Sequence, residues 1–207
     1  MGSEGRREQI LKTDQDNALL LRDDLRFDGL DALARRFGEA LGELGYPPCP
    51  GHIMVANPLW RQPLAAFKNT LHDWVREAEP TGLMNLAIFM DGRAIAGDAT
   101  LLTAARDFLD GVLDPNDALL ARFADVIERF DAHPSWWHRL TAHFSDEAVD
   151  VKKLGIFPIV HGVRSLALQQ HLRATGTEER LRQLVERGKL DVPLARHVLD
   201  ALHFLRA

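Results

Sequence analysis

Apolar residues change rhythm along this chain, and the change restricts the folds open to it. In the first ninety-odd residues, helix-period stripes alternate with short continuous apolar runs. Leu30, Leu33, Phe37, Leu41 and Leu44 recur at three- and four-residue steps, with Arg35, Arg36, Glu39 and Glu43 between them. This spacing predicts an amphipathic helix, stopped by Gly45 and the Pro47-Pro48 pair. Leu64, Phe67, Leu71, Trp74 and Val75 predict a second helix, ended by Pro80 and Gly82. Two apolar runs, Asn17 to Leu21 and Leu86 to Met90, read as buried strands. Ile53 to Ala56 forms a shorter apolar piece after a Pro/Gly loop.

Beyond Asp98 only the helical rhythm persists. It covers Leu101 to Leu109, then Leu119, Leu120, Phe123, Val126, Ile127 and Phe130. After Asp150 it resumes over Ile159 to Leu172, Leu181 to Val185 and Leu194 to Leu205. Thr175 with Glu178 fits a capping box, with Thr177 as a competing cap. The expected architecture is α+β: an α/β head over residues 1–98 and an all-helical bundle over 99–207.

Charge and cysteine content narrow the function. The 25 Lys+Arg against 30 Asp+Glu leave a net charge of −5, which argues against general nucleic-acid binding. A single cysteine, Cys49, excludes a disulfide within one chain and a cysteine-based zinc site. No apolar run approaches the roughly 20 residues of a membrane span. The polar stretch Met1 to Arg7 does not read as a secretory signal. A soluble, cytoplasmic protein is expected.

Two features at the front carry chemistry: Gly2-Ser3-Glu4-Gly5-Arg6 and Asp14-Gln15-Asp16. Alternate residues of an extended segment face the same way, with Cα atoms about 6.7 Å apart. Asp14 and Asp16 can therefore lean toward one point, where divalent cations relieve their repulsion. Gly2 and Gly5 would let backbone approach a triphosphate, Ser3 would add a hydroxyl, and Arg6 and Arg7 would add cations. The competing reading is an ordinary polar turn before a strand. Elsewhere, His133, His138 and His143 are five apart and do not converge on a helix. Trp136 and Trp137 read as packing residues, Arg61 as a surface ion pair, and Cys49 as inert for want of a base partner.

The Gly2-Ser3 pair followed by Asp14-x-Asp16 resembles the polymerase-β-like nucleotidyltransferase superfamily. Longer segments extend the likeness: Gly2 to Gln9, Lys12 to Ala18, Asn57 to Arg61, Asp91-Gly-Arg93 with Gly97-Asp98, Lys152-Lys153, and Phe157 to Arg164. Together they resemble putative nucleotidyltransferases similar to the N-terminal part of PII-protein uridylyltransferase, which often follow CBS or cyclic-nucleotide-binding domains.

The resemblance implies NMP transfer from an NTP to a protein acceptor, with a PII-like signalling protein as one such acceptor. It implies Mg²⁺ or Mn²⁺ on Asp14 and Asp16, with Asp91 as the third carboxylate at the end of the second strand. The alternative for Asp91 is bonding to turn amides or pairing with Arg93. Gly2, Ser3, Arg6, Lys152, Lys153, His161 and Arg164 are the implied nucleotide contacts, the last two from one face of a helix. A solvated helix face is the competing account of those four downstream residues. Leu154 replaces the first of the paired glycines that follow the lysines in the family pattern. A hydrophobic strand leading into Gly2-Ser3 is expected of the family, so the head reads as truncated at its first strand. That leaves a rival function, an inactive nucleotide-sensing or partner-binding module; a phosphohydrolase using the same carboxylates is a third.

Overall fold

The computed structural model describes residues 1–9, 14–113, 117–129 and 155–206. In chain order they form α1 (Gly2–Arg6), β1 (Leu19–Leu21), α2 (Leu30–Glu43), a 3-10 turn (Pro58–Trp60), β2 (Arg61–Pro63) and α3 (Leu64–Glu77). Then follow α4 (Pro80–Met90), α5 (Ala99–Leu113), α6 (Asp117–Arg129), α7 (Phe157–Gln169), α8 (Thr177–Glu186) and α9 (Val192–Phe204). The class is α+β: β1 and β2 make a two-stranded parallel sheet, and the rest is largely helical. Leu19 pairs with Arg61, Leu20 with Gln62 and Leu21 with Pro63.

Two local expectations are corrected. Leu86 to Met90 is not a strand but the second half of α4. An apolar run buried on all sides has no period that distinguishes strand from helix, and its Leu, Ala and Met are good helix formers. Pro80, expected to end the preceding helix, instead opens α4, where its missing N–H costs nothing. Helix α3 stops at Ala78, which adopts a left-handed conformation (φ 49°). The true partner of β1 is the polar segment Arg61-Gln62-Pro63, which no apolar rhythm marks. Arg61 does form an ion pair, with Asp31, but its own side chain is buried and also donates to the Val55 carbonyl (2.5 Å).

The larger core gathers Trp60, Phe67, Leu71, Leu86, Phe89, Leu109 and Phe123. A smaller one joins Val163, Ala167, Leu181 and Leu184. Helix α2 forms where its stripe predicts it, yet only Ala34 is buried, and Leu33, Phe37 and the following Leu44 are exposed. The cap of α8 also differs from either expected one. Gly176 is its N-cap, and the Thr177 amide donates to Glu8 Oε1 (2.5 Å), a carboxylate supplied from the far end of the chain. Among the described residues, no helix is long and apolar enough to cross a membrane. Lys152, Lys153, Trp136, Trp137 and the 133/138/143 histidines lie outside the described residues.

Candidate functional site

Residues 14–18 lead into β1, held by bonds from Gln15 and Asn17. Gln15 turns inward: its Nε2 donates to the Gly38 and Tyr46 carbonyls (both 2.9 Å), and its amide donates to Pro47 (3.0 Å). The Asn17 amide donates to Ile53, and its side-chain oxygen accepts from the Val55 amide (2.9 Å). Asp14 and Asp16, half-buried, bring a carboxylate oxygen each to within 4.8 Å of one another and of the Cys49 sulfur. Asp14 and Asp16 precede β1 rather than lying in it, and their carboxylates come together there with Cys49, which no spacing foretold.

The thiol does not enter as a thiolate. Burial, then the charges of Asp16 and Asp14, push Cys49 well above its ordinary range. The donor set is therefore two hard carboxylates beside a neutral thiol, which suits Mg²⁺ or Mn²⁺.

Helix α1 lies between this pair and a second acidic centre. Gly2 (φ 52°) packs so closely that a Cβ there would fall 2.1 Å from Asp16 Oδ2. At Gly5 a Cβ would fall 2.0 Å from the Asp91 carbonyl oxygen. The space these glycines leave is taken by protein atoms, and the half-buried Ser3 accepts the Glu8 amide at its carbonyl (2.9 Å).

Asp91 caps the C-terminus of α4 rather than ending a strand, and it is fully buried. Arg6 and Arg164 each donate to Oδ2 (2.6 Å), Arg164 Nε reaches Oδ1 (3.3 Å), and Arg180 stands 3.0 Å from Oδ1. Burial works to raise this carboxyl. Arg164, Arg6 and Arg180 together override it and hold Asp91 well below the usual carboxylate range. With three guanidiniums around both oxygens, Asp91 has no face left for a cation, and it is not among the ligands gathered at Asp14 and Asp16.

Arg6 also meets Glu8 (2.7 Å), which in turn accepts from Arg206 (2.6 Å). Arg164 and His161, expected on an open helix face, are both buried. His161 stacks between Phe123 and Phe157, at centroid distances of 4.8 and 5.4 Å. Its Nε2 lies 2.7 Å from the Phe123 carbonyl, which can only accept, so this nitrogen carries the proton. Nδ1 is left to accept from Arg164 (3.2 Å). Burial first, and Arg164 second, lower its pKa to about 4, so the ring is neutral near pH 7.

Arg180 escaped the reading of the sequence, although a signal was there. It falls in the buried register Thr177, Arg180, Leu181, Leu184 of α8, an arginine in an apolar stripe. Its Nε donates to Ala174 (2.8 Å) and its NH2 to Met90 (3.2 Å), and burial lowers its pKa to about 10.

Two family models match the chain. One, described as "Putative nucleotidyltransferase DUF294", covers residues 1–81, and the other, "Putative nucleotidyltransferase substrate binding domain", covers residues 117–207. No curated protein and no solved structure matches the chain significantly.

Proposed function

The chain belongs to the putative nucleotidyltransferase family, and on that premise we propose that it moves an NMP group from an NTP to an acceptor hydroxyl, releasing pyrophosphate. The observation that carries the reading is the convergence of Asp14 and Asp16 at the foot of β1. Their carboxylates would hold Mg²⁺ or Mn²⁺, which supplies charge neutralisation on the phosphates and acidification of the acceptor hydroxyl. The hydroxyl oxygen attacks the α-phosphorus, the bond to the bridging oxygen breaks, and the proton leaves to solvent. The backbone and Gln15 bonds keep the two aspartates aimed together, and α1 presses on Asp16 at Gly2. Lys152 and Lys153 would contact phosphate. Arg6, His161 and Arg164 serve as positioning residues around Asp91, whose bonds tie α1 and α7 to the end of α4.

By its likeness to PII-protein uridylyltransferase, the acceptor would be a protein, a PII-like signalling protein being one such, and the donor UTP. Incubation with each labelled NTP, Mg²⁺ or Mn²⁺ and cell extract tests this. Label should pass from one NTP to a protein band and vanish in Asp14→Asn/Asp16→Asn. No transfer, or transfer untouched by that variant, sinks the reading. One observation favours a second reading, a nucleotide-binding module without turnover: Asp91 is saturated by arginines, which leaves two carboxylates at the pair among the described residues. Calorimetry showing NTP binding with metal but no pyrophosphate release would select it.

A further inference from the structure

The acidic pair has a neighbour that nucleotidyl transfer does not use. Cys49 is buried (2 % exposed), and its sulfur lies within 4.8 Å of a carboxylate oxygen of Asp14 and of Asp16. It is held there because loop 47–55 is fastened to residues 14–18 on both sides of the thiol. Before it, the Gln15 amide donates to the Pro47 carbonyl (3.0 Å). After it, the Asn17 amide donates to the Ile53 carbonyl (3.0 Å), and Asn17 Oδ1 accepts from the Val55 amide (2.9 Å). The Cys49 amide donates to Met54 Sδ (3.3 Å), which draws the loop in on itself.

A sulfur beside two carboxylates discriminates among cations. Mg²⁺ is satisfied by oxygen ligands and gains little from a neutral thiol. Ions of zinc type bond strongly to sulfur, and on binding they deprotonate it. The surroundings of Cys49 accept that change. The Ile53 and Gly51 amides face the sulfur and favour its charged form, and a bound cation cancels the aspartate charges that oppose it. Tetrahedral zinc, with bonds of about 2.0–2.3 Å, sets its ligand atoms about 3.3–3.6 Å apart. Small rotations of the two half-buried carboxylates reach that spacing. One cysteine cannot build an all-thiolate site, but two carboxylates complete three protein ligands and leave a fourth position to water.

We propose that Asp14, Asp16 and Cys49 together form a site for a thiophilic divalent cation, zinc being the type, with Cys49 as the third ligand. This rests on the reading of the aspartates as a cation-binding pair and not on nucleotidyl transfer. On binding, the Cys49 S–H bond breaks, its proton leaves to solvent, and a sulfur lone pair forms the bond to the metal; no atom changes oxidation state. The same carboxylates serve Mg²⁺ or Mn²⁺, so the two kinds of ion exclude one another, and Cys49 tilts the choice toward zinc.

Cobalt(II), an optical stand-in for zinc, tests the proposal on the full chain. A sulfur-to-cobalt charge-transfer band should appear, and with one cysteine in the chain it reports Cys49 alone. Zinc should bleach the band, and Asp14→Asn/Asp16→Asn should not show it. Cys49→Ser should lose the band and bind zinc about 10–100-fold more weakly, at least the loss that follows removal of an outer-shell partner. Cys49→Ala should show the same losses, and both variants should keep the melting shift with Mn²⁺ that the parent shows. The proposal is overturned if cobalt gives no sulfur band, if the band persists in the aspartate variant, or if the cysteine variants bind zinc as tightly as the parent. A sulfur band without Mn²⁺ binding sinks the Mg²⁺ or Mn²⁺ reading and upholds this one; Mn²⁺ binding without the band does the reverse.

Discussion

Two acidic centres flank one five-residue helix, and their surroundings are opposite in kind. At Gly2, α1 rests on Asp16, which shares a point in space with Asp14 and a neutral thiol. At Gly5 it rests on Asp91, a single carboxylate enclosed by Arg6, Arg164 and Arg180. The first centre gathers negative charge, which a cation from outside would offset. The second gathers positive charge around a buried anion and is complete within the protein. The same functional group thus stands beside other acids in one place and is clamped by arginines in the other, and environment alone makes the difference.

Removing the clamp should have the largest effect. Asp91→Asn leaves three inward-facing guanidiniums without their counter-charge, and urea unfolding should show a loss of about 3–5 kcal/mol. A loss under about 1 kcal/mol would mean that the cluster is solvated and the contrast false.

Acid titrates the same neighbourhood next. His161 is neutral in the fold, with a pKa lowered from 6.5 to about 4, so between those values the unfolded chain takes up a proton that the folded chain does not. Stability should therefore fall as pH drops from 6.5 toward 4, by roughly 3 kcal/mol in all, and His161→Gln should flatten that slope. Asp91 acts lower. Its folded pKa lies below the unfolded 3.8, so its contribution is present above that value and is lost as pH falls further. Unfolding midpoints measured from about pH 1.5 to pH 7 would resolve the two windows.

The glycines sharpen the comparison at smaller amplitude. Gly5→Ala drives a Cβ into the Asp91 backbone and should cost about 2–3 kcal/mol. Gly2→Ala meets the movable Asp16 side chain, although at positive φ, and should cost about 1–2 kcal/mol while weakening metal affinity. Thermal melts with and without Mn²⁺ would separate these outcomes. The smallest effect on stability belongs to Asp14→Asn/Asp16→Asn. Relieving the mutual repulsion should leave the fold unchanged, or more stable by about 0.5 kcal/mol, while the melting shift on adding Mn²⁺ disappears. A large destabilisation would assign those aspartates to structure.

Much of the local order was legible in the residues. The stripes of α2 and α3 depend on near neighbours, and both helices form as read. The apolar run Leu86 to Met90 was not legible as helix, because a segment buried on every side carries no polar face to mark its period. Nor was the strand Arg61–Pro63, whose pairing is set by β1 across forty residues of chain.

The expectation for Asp91 illustrates the limit. It was singled out for a carboxylate role, and it holds one of a different kind, because its partners arrive from α1, α7 and α8. Arg180 and the Glu8 cap of α8 are hidden for the same reason.

By itself, then, the sequence determined the class and the family, since the apolar rhythm and the motifs that carry them are written along the chain. Tertiary structure alone decided which carboxylates cluster with one another and which one is sealed by arginines. The physical reason is that burial and Coulomb interaction depend on distance in space, and the three guanidiniums that settle the fate of Asp91 lie 85, 73 and 89 residues from it along the chain.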